Sequence, residues 1–143
     1  MERRKFIKTC CISIIGIPIA GLLLQSCNGI YYAIFKHSFD KLILAKSEFI
    51  DTKNKYREFV LIKPEKFDFP ICIYKTSNDT YVASLLKCTH RNCELNVGGG
   101  IYTCPCHGSE FSTTGKVLEG PAEQDLTTYK IETDYENIYI YLS

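Results

Sequence analysis

Two short stretches of the chain concentrate side chains that bind soft or borderline metals. "CTHRNC" at 88–93 and "CPCHGS" at 104–109 each contain two cysteines and one histidine, in a chain with only three histidines. Thiolates and imidazoles at such short spacing are typical ligands of zinc and of iron–sulfur centres. The two stretches therefore predict a metal centre, and they have to be interpreted together.

Three interpretations of these six side chains are possible. A zinc site needs four ligands, usually from C-x2-C or H-x3-H pairs, whereas these stretches offer C-x-H and C-x2-H and leave two cysteines over. A framework of disulfides alone gives the two histidines no role. A [2Fe-2S] cluster with two cysteines on one iron and two histidines on the other, and a disulfide between the remaining cysteines, uses all six.

The surrounding sequence predicts a small antiparallel β domain that presents both stretches on loops. The segments 57–63, 70–76 and 80–87 are short and rich in apolar residues, and they are separated by turn residues such as Asn78-Asp79. "ELNV" and "IYTC" flank three consecutive glycines, and "LTTYKIETD" precedes "NIYIYLS", so two further hairpins are expected. No long helical period follows residue 45, and the fold class is predicted to be all-β.

The N-terminal segment predicts export and attachment to a membrane. "MERRKFIK" contains two consecutive arginines and resembles a twin-arginine signal, and the uncharged run 10–24 that follows is shorter than the roughly 20 residues of a membrane span. "LLQSC" resembles a lipobox ending at Cys27, which would be acylated after cleavage. An uncleaved anchor is the alternative. In both cases the domain is expected outside the cytoplasm, in a bacterial cell envelope.

The chain is accordingly divided into a signal peptide or anchor at 1–26, a membrane-proximal tether at 27–45 and a folded domain at 46–143, with the cluster-binding lobe at about 86–122. The tether is rich in apolar and aromatic residues, so part of it is expected to pack on the domain or on the membrane interface. The formal net charge is +1 and no basic face follows the first eight residues, which argues against a nucleic-acid partner.

Taken together, "CTHRNC" and "CPCHGS" resemble the two boxes of the Rieske iron–sulfur proteins of cytochrome bc complexes. The resemblance implies a Rieske-type β domain with one [2Fe-2S] cluster. It assigns Cys88 and Cys104 to one iron and His90 and His107 to the other. It also implies a disulfide between the two remaining cysteines of the boxes, Cys93 and Cys106.

The resemblance also identifies residues around the cluster. Ser109 occupies the position from which high-potential relatives direct a hydroxyl to a cluster sulfur, and such hydrogen bonds raise the potential. Phe111 stands where those relatives carry tyrosine, so we expect one hydrogen bond fewer and a lower potential. Gly120 and Pro121 resemble the Gly-Pro loop that covers the cluster and are expected to shield it.

The expected function is the transfer of single electrons, coupled to protons, between redox proteins of the envelope such as a cytochrome or an oxidoreductase subunit. The alternative is the Rieske subunit of a quinol-oxidising cytochrome bc-type complex; a zinc-binding structural module is a minor alternative. Arg91-Asn92 replaces the Leu-Gly typical of bc-complex proteins, which argues against quinol oxidation. An oxygenase catalytic subunit is excluded, since only His37 remains for a mononuclear iron.

Overall fold

The computed structural model describes residues 29–76 and 79–142, and the regular structure of this part of the chain is almost entirely antiparallel β. The strands are β1 (Phe35–Ser38), β2 (Lys41–Ala45), β3 (Phe59–Ile62), β4 (Ile71–Lys75), β5 (Tyr81–Leu85), β6 (Asn96–Gly98), β7 (Ile101–Thr103), β8 (Glu110–Ser112), β9 (Val117–Glu119), β10 (Thr128–Thr133) and β11 (Asn137–Tyr141). A 3-10 turn at Lys46–Phe49 follows β2. The predicted all-β fold class is confirmed.

The larger sheet has seven strands in the order β1-β2-β11-β10-β5-β4-β3. Burial alternates along β2, where Leu42 and Leu44 are buried and their neighbours are partly exposed. Residues of period two share one face of a strand, so this alternation gathers one apolar face. The core of this sheet includes Phe49, Ile73 and Ile138.

The smaller sheet, in the order β6-β7-β8-β9, forms a separate lobe. Along the chain this lobe is inserted between β5 and β10, which pair with each other in the larger sheet. The predicted glycine turn is present, since Gly98 pairs with Ile101 and the two residues between them have positive φ angles of 62° and 78°. Such angles favour glycine and suit a two-residue hairpin. A second buried cluster contains Cys88 and Cys104 together with Tyr102 and Phe111, and it extends to Leu61 of β3 and Cys72 of β4.

The other predicted strands also pair as expected. β3, β4 and β5 form consecutive antiparallel pairs, and β10 pairs with β11 across a turn at 134–136. Asp79 ends the β4–β5 connection with a φ of 61°, while Asn78 lies outside the described residues. Among the helical segments of the described residues, none is long and apolar enough to cross a membrane.

Part of the predicted tether at 27–45 packs on the domain, as expected, but the predicted start of the folded domain at 46 needs a correction. β2 lies inside the larger sheet between β1 and β11, and Tyr32 forms a parallel bridge with Leu61 of β3. The folded unit therefore begins near residue 31 rather than at 46. The apolar residues of β2 resembled a membrane-proximal segment because core strands and interfacial segments use the same residue types. The predicted signal at 1–26 and Cys27 lie outside the described residues.

Candidate metal centre

The two cysteine–histidine stretches form loops with the same backbone hydrogen bonds. In the first loop, the N–H of Cys88 donates to the carbonyl of Cys93 (2.8 Å), and the N–H of Asn92 donates to the carbonyl of Cys88 (2.9 Å). The second loop repeats both bonds sixteen residues later, from Cys104 to the carbonyl of Ser109 (2.8 Å) and from residue 108 back to Cys104 (3.0 Å). The two loops are therefore structural counterparts, each opening with a cysteine.

A left-handed residue closes each loop at the same place. Asn92 has a φ of 58° and its counterpart Gly108 has a φ of 81°. Asparagine and glycine tolerate this conformation better than other residues do. The asparagine of "CTHRNC" thus performs the backbone role that glycine performs in "CPCHGS".

The two cysteines that open the loops are free thiols and are almost completely buried. Burial alone would raise the pKa of the Cys104 thiol, but the backbone N–H groups of Cys106 and His107 and the side chain of Cys88 together hold that pKa below its usual value. N–H groups directed at a sulfur stabilise its thiolate, which is the form that binds metals. The pair of sulfurs is suited to one metal atom.

The two histidines lie side by side, with ring centroids 4.9 Å apart and planes at 86°. His107 is exposed, whereas His90 is partly buried. The Nδ1 atom of His90 is buried, and no hydrogen-bond partner for it lies among the described residues. A buried nitrogen of this kind normally has a partner, so it is a fitting position for a metal ligand.

The predicted disulfide between Cys93 and Cys106 is confirmed and joins residues 13 positions apart. It links the end of the first loop to the middle of the second. This bond holds the two loops together independently of any metal.

A tetrahedral zinc site would hold its donor atoms close together. Zn–S and Zn–N bonds of about 2.3 and 2.0–2.1 Å keep any two ligand atoms within about 4.6 Å of each other. In the described part of the chain, the three metal-binding groups whose donor atoms all lie within 4.8 Å are Cys93, Cys104 and Cys106, and two of these share the disulfide. A disulfide sulfur is not a thiolate ligand, so this group is not itself a zinc site.

A third loop, 120–127, bonds to both cysteine–histidine loops. The Ser109 hydroxyl oxygen is buried and accepts a hydrogen bond from the N–H of Ala122 (3.0 Å), which leaves its own hydrogen available to donate elsewhere. The Thr89 hydroxyl donates to the carbonyl of Gln124 (2.6 Å). The predicted covering residues 120 and 121 are in this loop and are themselves exposed, so whether they shield a cluster stays a prediction.

The two residues that depart from the bc-complex pattern have opposite environments. Phe111 is completely buried in β8, where it faces Tyr102 of β7 in the strand register. Arg91 is exposed in the first loop, beside His90. The first departure therefore changes the interior of the lobe, and the second changes its surface.

One residue of the site, and the backbone role of another, were missed from the sequence. Thr89 bonds to a backbone group 35 residues away, and such a contact has no local signal. Asn92 closes the first loop, and its role could have been found by aligning the two stretches at their first cysteines, which places it opposite Gly108. Buried Cys72 of β4 is a free thiol whose pKa burial raises to about 12, as expected of a core residue.

Comparison with known proteins agrees with this geometry. A family model described as the Rieske [2Fe-2S] domain matches residues 41–130. The cytochrome b6-f complex iron-sulfur subunit of Synechococcus sp. (strain JA-2-3B'a(2-13)) is 42% identical over 53 residues, which are 36% of this chain and 31% of that protein. The corresponding subunit of Prochlorococcus marinus (strain MIT 9303) is 38% identical over 55 residues, which are 37% of this chain and 31% of that protein. The alignments thus span about a third of the curated relatives.

Solved structures give a longer match. The cyanobacterial plasma membrane Rieske protein PetC3 from Synechocystis PCC 6803 is 36% identical, with a TM-score of 0.52, over 58% of this chain and 85% of that chain. Naphthalene 1,2-dioxygenase shares the fold, with a TM-score of 0.56 over 26% of its own chain, at 17% identity.

Proposed function

Because this chain belongs to the Rieske [2Fe-2S] family, we propose that it is a membrane-tethered electron carrier that passes single electrons between redox partners of a bacterial envelope. A [2Fe-2S] cluster, when bound, supplies reversible one-electron chemistry at roughly −150 to +300 mV in this family. The side chains of this protein hold the cluster, exclude water from one side of it and expose the other side to a partner.

We assign Cys88 and Cys104 to one iron of the cluster, here called the inner iron. We assign His90 and His107 to the other, the outer iron. The two free thiols are buried, and backbone N–H groups stabilise the thiolate of Cys104. The Nδ1 atom of His90, which has no hydrogen-bond partner among the described residues, and the neighbouring ring of His107 support the second pair. The disulfide supports the set by fixing the two loops to each other.

The difference in burial between the two pairs is the observation that carries the proposed function. The cysteines lie in the core of the lobe, whereas His107 is exposed at its surface. An electron can therefore leave through the imidazole edge without the lobe opening. The outer ring nitrogens can also release protons to solvent when the centre is oxidised, which couples electron transfer to proton transfer.

Reduction of the purified full-chain protein, followed by EPR spectroscopy, tests this proposal. We expect a red-brown protein with equal amounts of iron and acid-labile sulfide and the low-g signal of a Rieske centre. A colourless protein that binds zinc with no such signal would refute it.

Matched variants test the ligand assignment. Cys88→Ser and His107→Gln should lose the EPR signal. Cys72→Ala and His37→Gln change the free cysteine of β4 and the exposed histidine of β1, and both should retain it. Retention of the signal in His107→Gln would show that this histidine is not a ligand.

We further propose that residues 1–26 direct export and that Cys27 carries a lipid. The short apolar run before "LLQSC" supports this. The 36%-identical relative is a plasma membrane Rieske protein, which is consistent with it. Mass spectrometry of membrane-extracted protein tests the proposal, since acylated Cys27 should be the N-terminal residue. An intact Met1 terminus would support an uncleaved anchor instead.

A second candidate function is the Rieske subunit of a quinol-oxidising complex. It is favoured by the relatives named as subunits of cytochrome b6-f complexes. Exposed Arg91 argues against it, because a charge beside the outer iron is costly to bury against an apolar quinol. Co-purification with a cytochrome b and inhibitor-sensitive quinol oxidation would favour this candidate over the carrier.

A further inference from the structure

The first described residues form an extended segment with one side on the domain and the other in solvent. Ala33 is 6% exposed, and its N–H donates to the carbonyl of Leu61 (2.7 Å). The N–H of Leu61 donates in turn to the carbonyl of Tyr31 (3.2 Å). Ile30, Tyr32 and Ile34 alternate with these residues and are 67%, 47% and 78% exposed.

Side-chain contacts fix the inner side of this segment. The Tyr31 hydroxyl donates to Glu48 Oε2 (2.7 Å), and the Tyr31 ring lies 4.0 Å from the guanidinium carbon of Arg57. The N–H of Ile34 donates to the same Glu48 oxygen (3.0 Å). These bonds fix the alternation, so the outer residues cannot turn inward without breaking them.

We propose that Ile30, Tyr32 and Ile34, here called the outer stripe, dock on the surface of a lipid bilayer. The inference rests on the membrane tether of the proposed function. Only three residues separate Cys27 from Tyr31, the first residue bonded to β3, and an extended chain advances at most about 3.6 Å per residue. An anchor at residue 27 therefore holds Tyr31 within about 14 Å of the bilayer and Ile34, the last residue of the outer stripe, within about 25 Å.

The chemistry of the outer stripe suits a lipid interface better than water. Tyrosine places its ring among acyl chains and its hydroxyl among headgroups, and the two isoleucines add apolar area. Lys36, the next residue of the same alternation, is exposed and can reach anionic headgroups. Docking along this segment sets one orientation of the domain on the membrane, in place of free rotation on a flexible linker.

The chain has no tryptophan, so a single introduced tryptophan reports its own surroundings. The test uses full-chain holoprotein carrying Tyr32→Trp, reconstituted into phosphatidylethanolamine/phosphatidylglycerol vesicles with and without brominated acyl chains. Tyr135→Trp is the matched control, because Tyr135 is 94% exposed and lies in the β10–β11 turn. Vesicle flotation is measured on the same samples, and the EPR signal confirms that each variant is folded.

We expect both variants to float, with blue-shifted and bromine-quenched emission from residue 32 and solvent-like emission from residue 135. Adding Ile30→Ser and Ile34→Ser to Tyr32→Trp should reverse the shift and the quenching, whereas adding Leu118→Ser, at a residue 54% exposed in β9, should not.

Three results would overturn the docking. Solvent-like, unquenched emission from residue 32 would show that the outer stripe does not dock on the bilayer. Flotation of the same protein would show that the tether still holds it there. Blue-shifted but unquenched emission means that protein, such as a second copy, covers the outer stripe. A protein that does not float has lost both the docking and the tether, while the EPR signal still tests the cluster independently.

Discussion

Replacing Phe111 with tyrosine tests whether the absent phenol lowers the redox potential. Phe111 is fully buried two residues after buried Ser109, and it lies in the same buried cluster as Cys88 and Cys104. A hydrogen bond contributes about 1 kcal/mol net, and 59 mV corresponds to about 1.4 kcal/mol for one electron. A new bond to a cluster sulfur that favours the reduced state by that amount raises the midpoint potential by about 40 mV.

The assay is an EPR-monitored redox titration of the holoprotein at fixed pH. Phe49→Tyr is the matched control, because Phe49 is equally buried in the core of the larger sheet. Both substitutions add an oxygen to a filled core and are expected to cost about 1–3 kcal/mol of stability, but only the one at 111 should raise the potential. A folded Phe111→Tyr protein with an unchanged or lower potential refutes the reasoning, as does an equal shift in Phe49→Tyr.

Three further predictions concern the site and its support. Ser109→Ala should lower the potential in the same titration and, by leaving a backbone N–H of the third loop without its acceptor, reduce the free energy of unfolding by about 1–3 kcal/mol. The double variant Cys93→Ala/Cys106→Ala should lose about 3 kcal/mol of loop-closure stabilisation. In denaturant titrations, adding reductant should lower the free energy of unfolding of the parent protein but not that of the variant. The Tyr139 hydroxyl and two backbone N–H groups hold the pKa of Asp134 at about 2, below its ordinary 3.8, so the stability that this carboxylate contributes is present above pH 3.8 and lost as the pH falls towards 2. Thermal melts of Asp134→Asn should therefore lack that part of the acid dependence, and an identical dependence in both proteins would contradict the assignment.

The strands of the fold could be predicted where composition and turn chemistry agreed. The β6–β7 hairpin was marked by its glycines, and β10 and β11 by their apolar runs and polar turn. The sequence analysis placed β1 and β2 in the tether. In the structure, "KLILA" instead pairs with β11 near the end of the chain and buries Leu42 and Leu44. That pairing joins residues nearly a hundred positions apart, and a local pattern contains no information about it.

The site was predictable in its residue types and less so in its environment. The predicted Cys93–Cys106 disulfide is confirmed, while the assignment of Cys88, His90, Cys104 and His107 as ligands stays a proposal. The unequal exposure of His90 and His107 was not predictable, because it depends on how the loops pack on the lobe. The bond from Thr89 to the third loop likewise depends on tertiary structure.

Replacing Arg91 distinguishes the two candidate functions most clearly, because the charge of this side chain changes the rate at which charged and apolar partners approach the site. The side chain is exposed beside His90, where a cation attracts anionic electron acceptors and disfavours an apolar one. Ferricyanide is a convenient anionic probe. At a separation of about 8 Å in screened water, loss of one positive charge should slow its reaction on the order of threefold at 0.1 M salt.

Stopped-flow oxidation of the reduced holoprotein measures this effect. Arg91→Ala should react more slowly with ferricyanide, and the difference should shrink as the ionic strength rises, because salt screens exposed charges. Lys130→Ala removes an exposed charge from β10 in the larger sheet and should leave the rate unchanged. If Arg91→Ala and Lys130→Ala behave alike, the arginine does not lie on the path of electron exit, and its departure from the bc-complex pattern no longer argues against quinol.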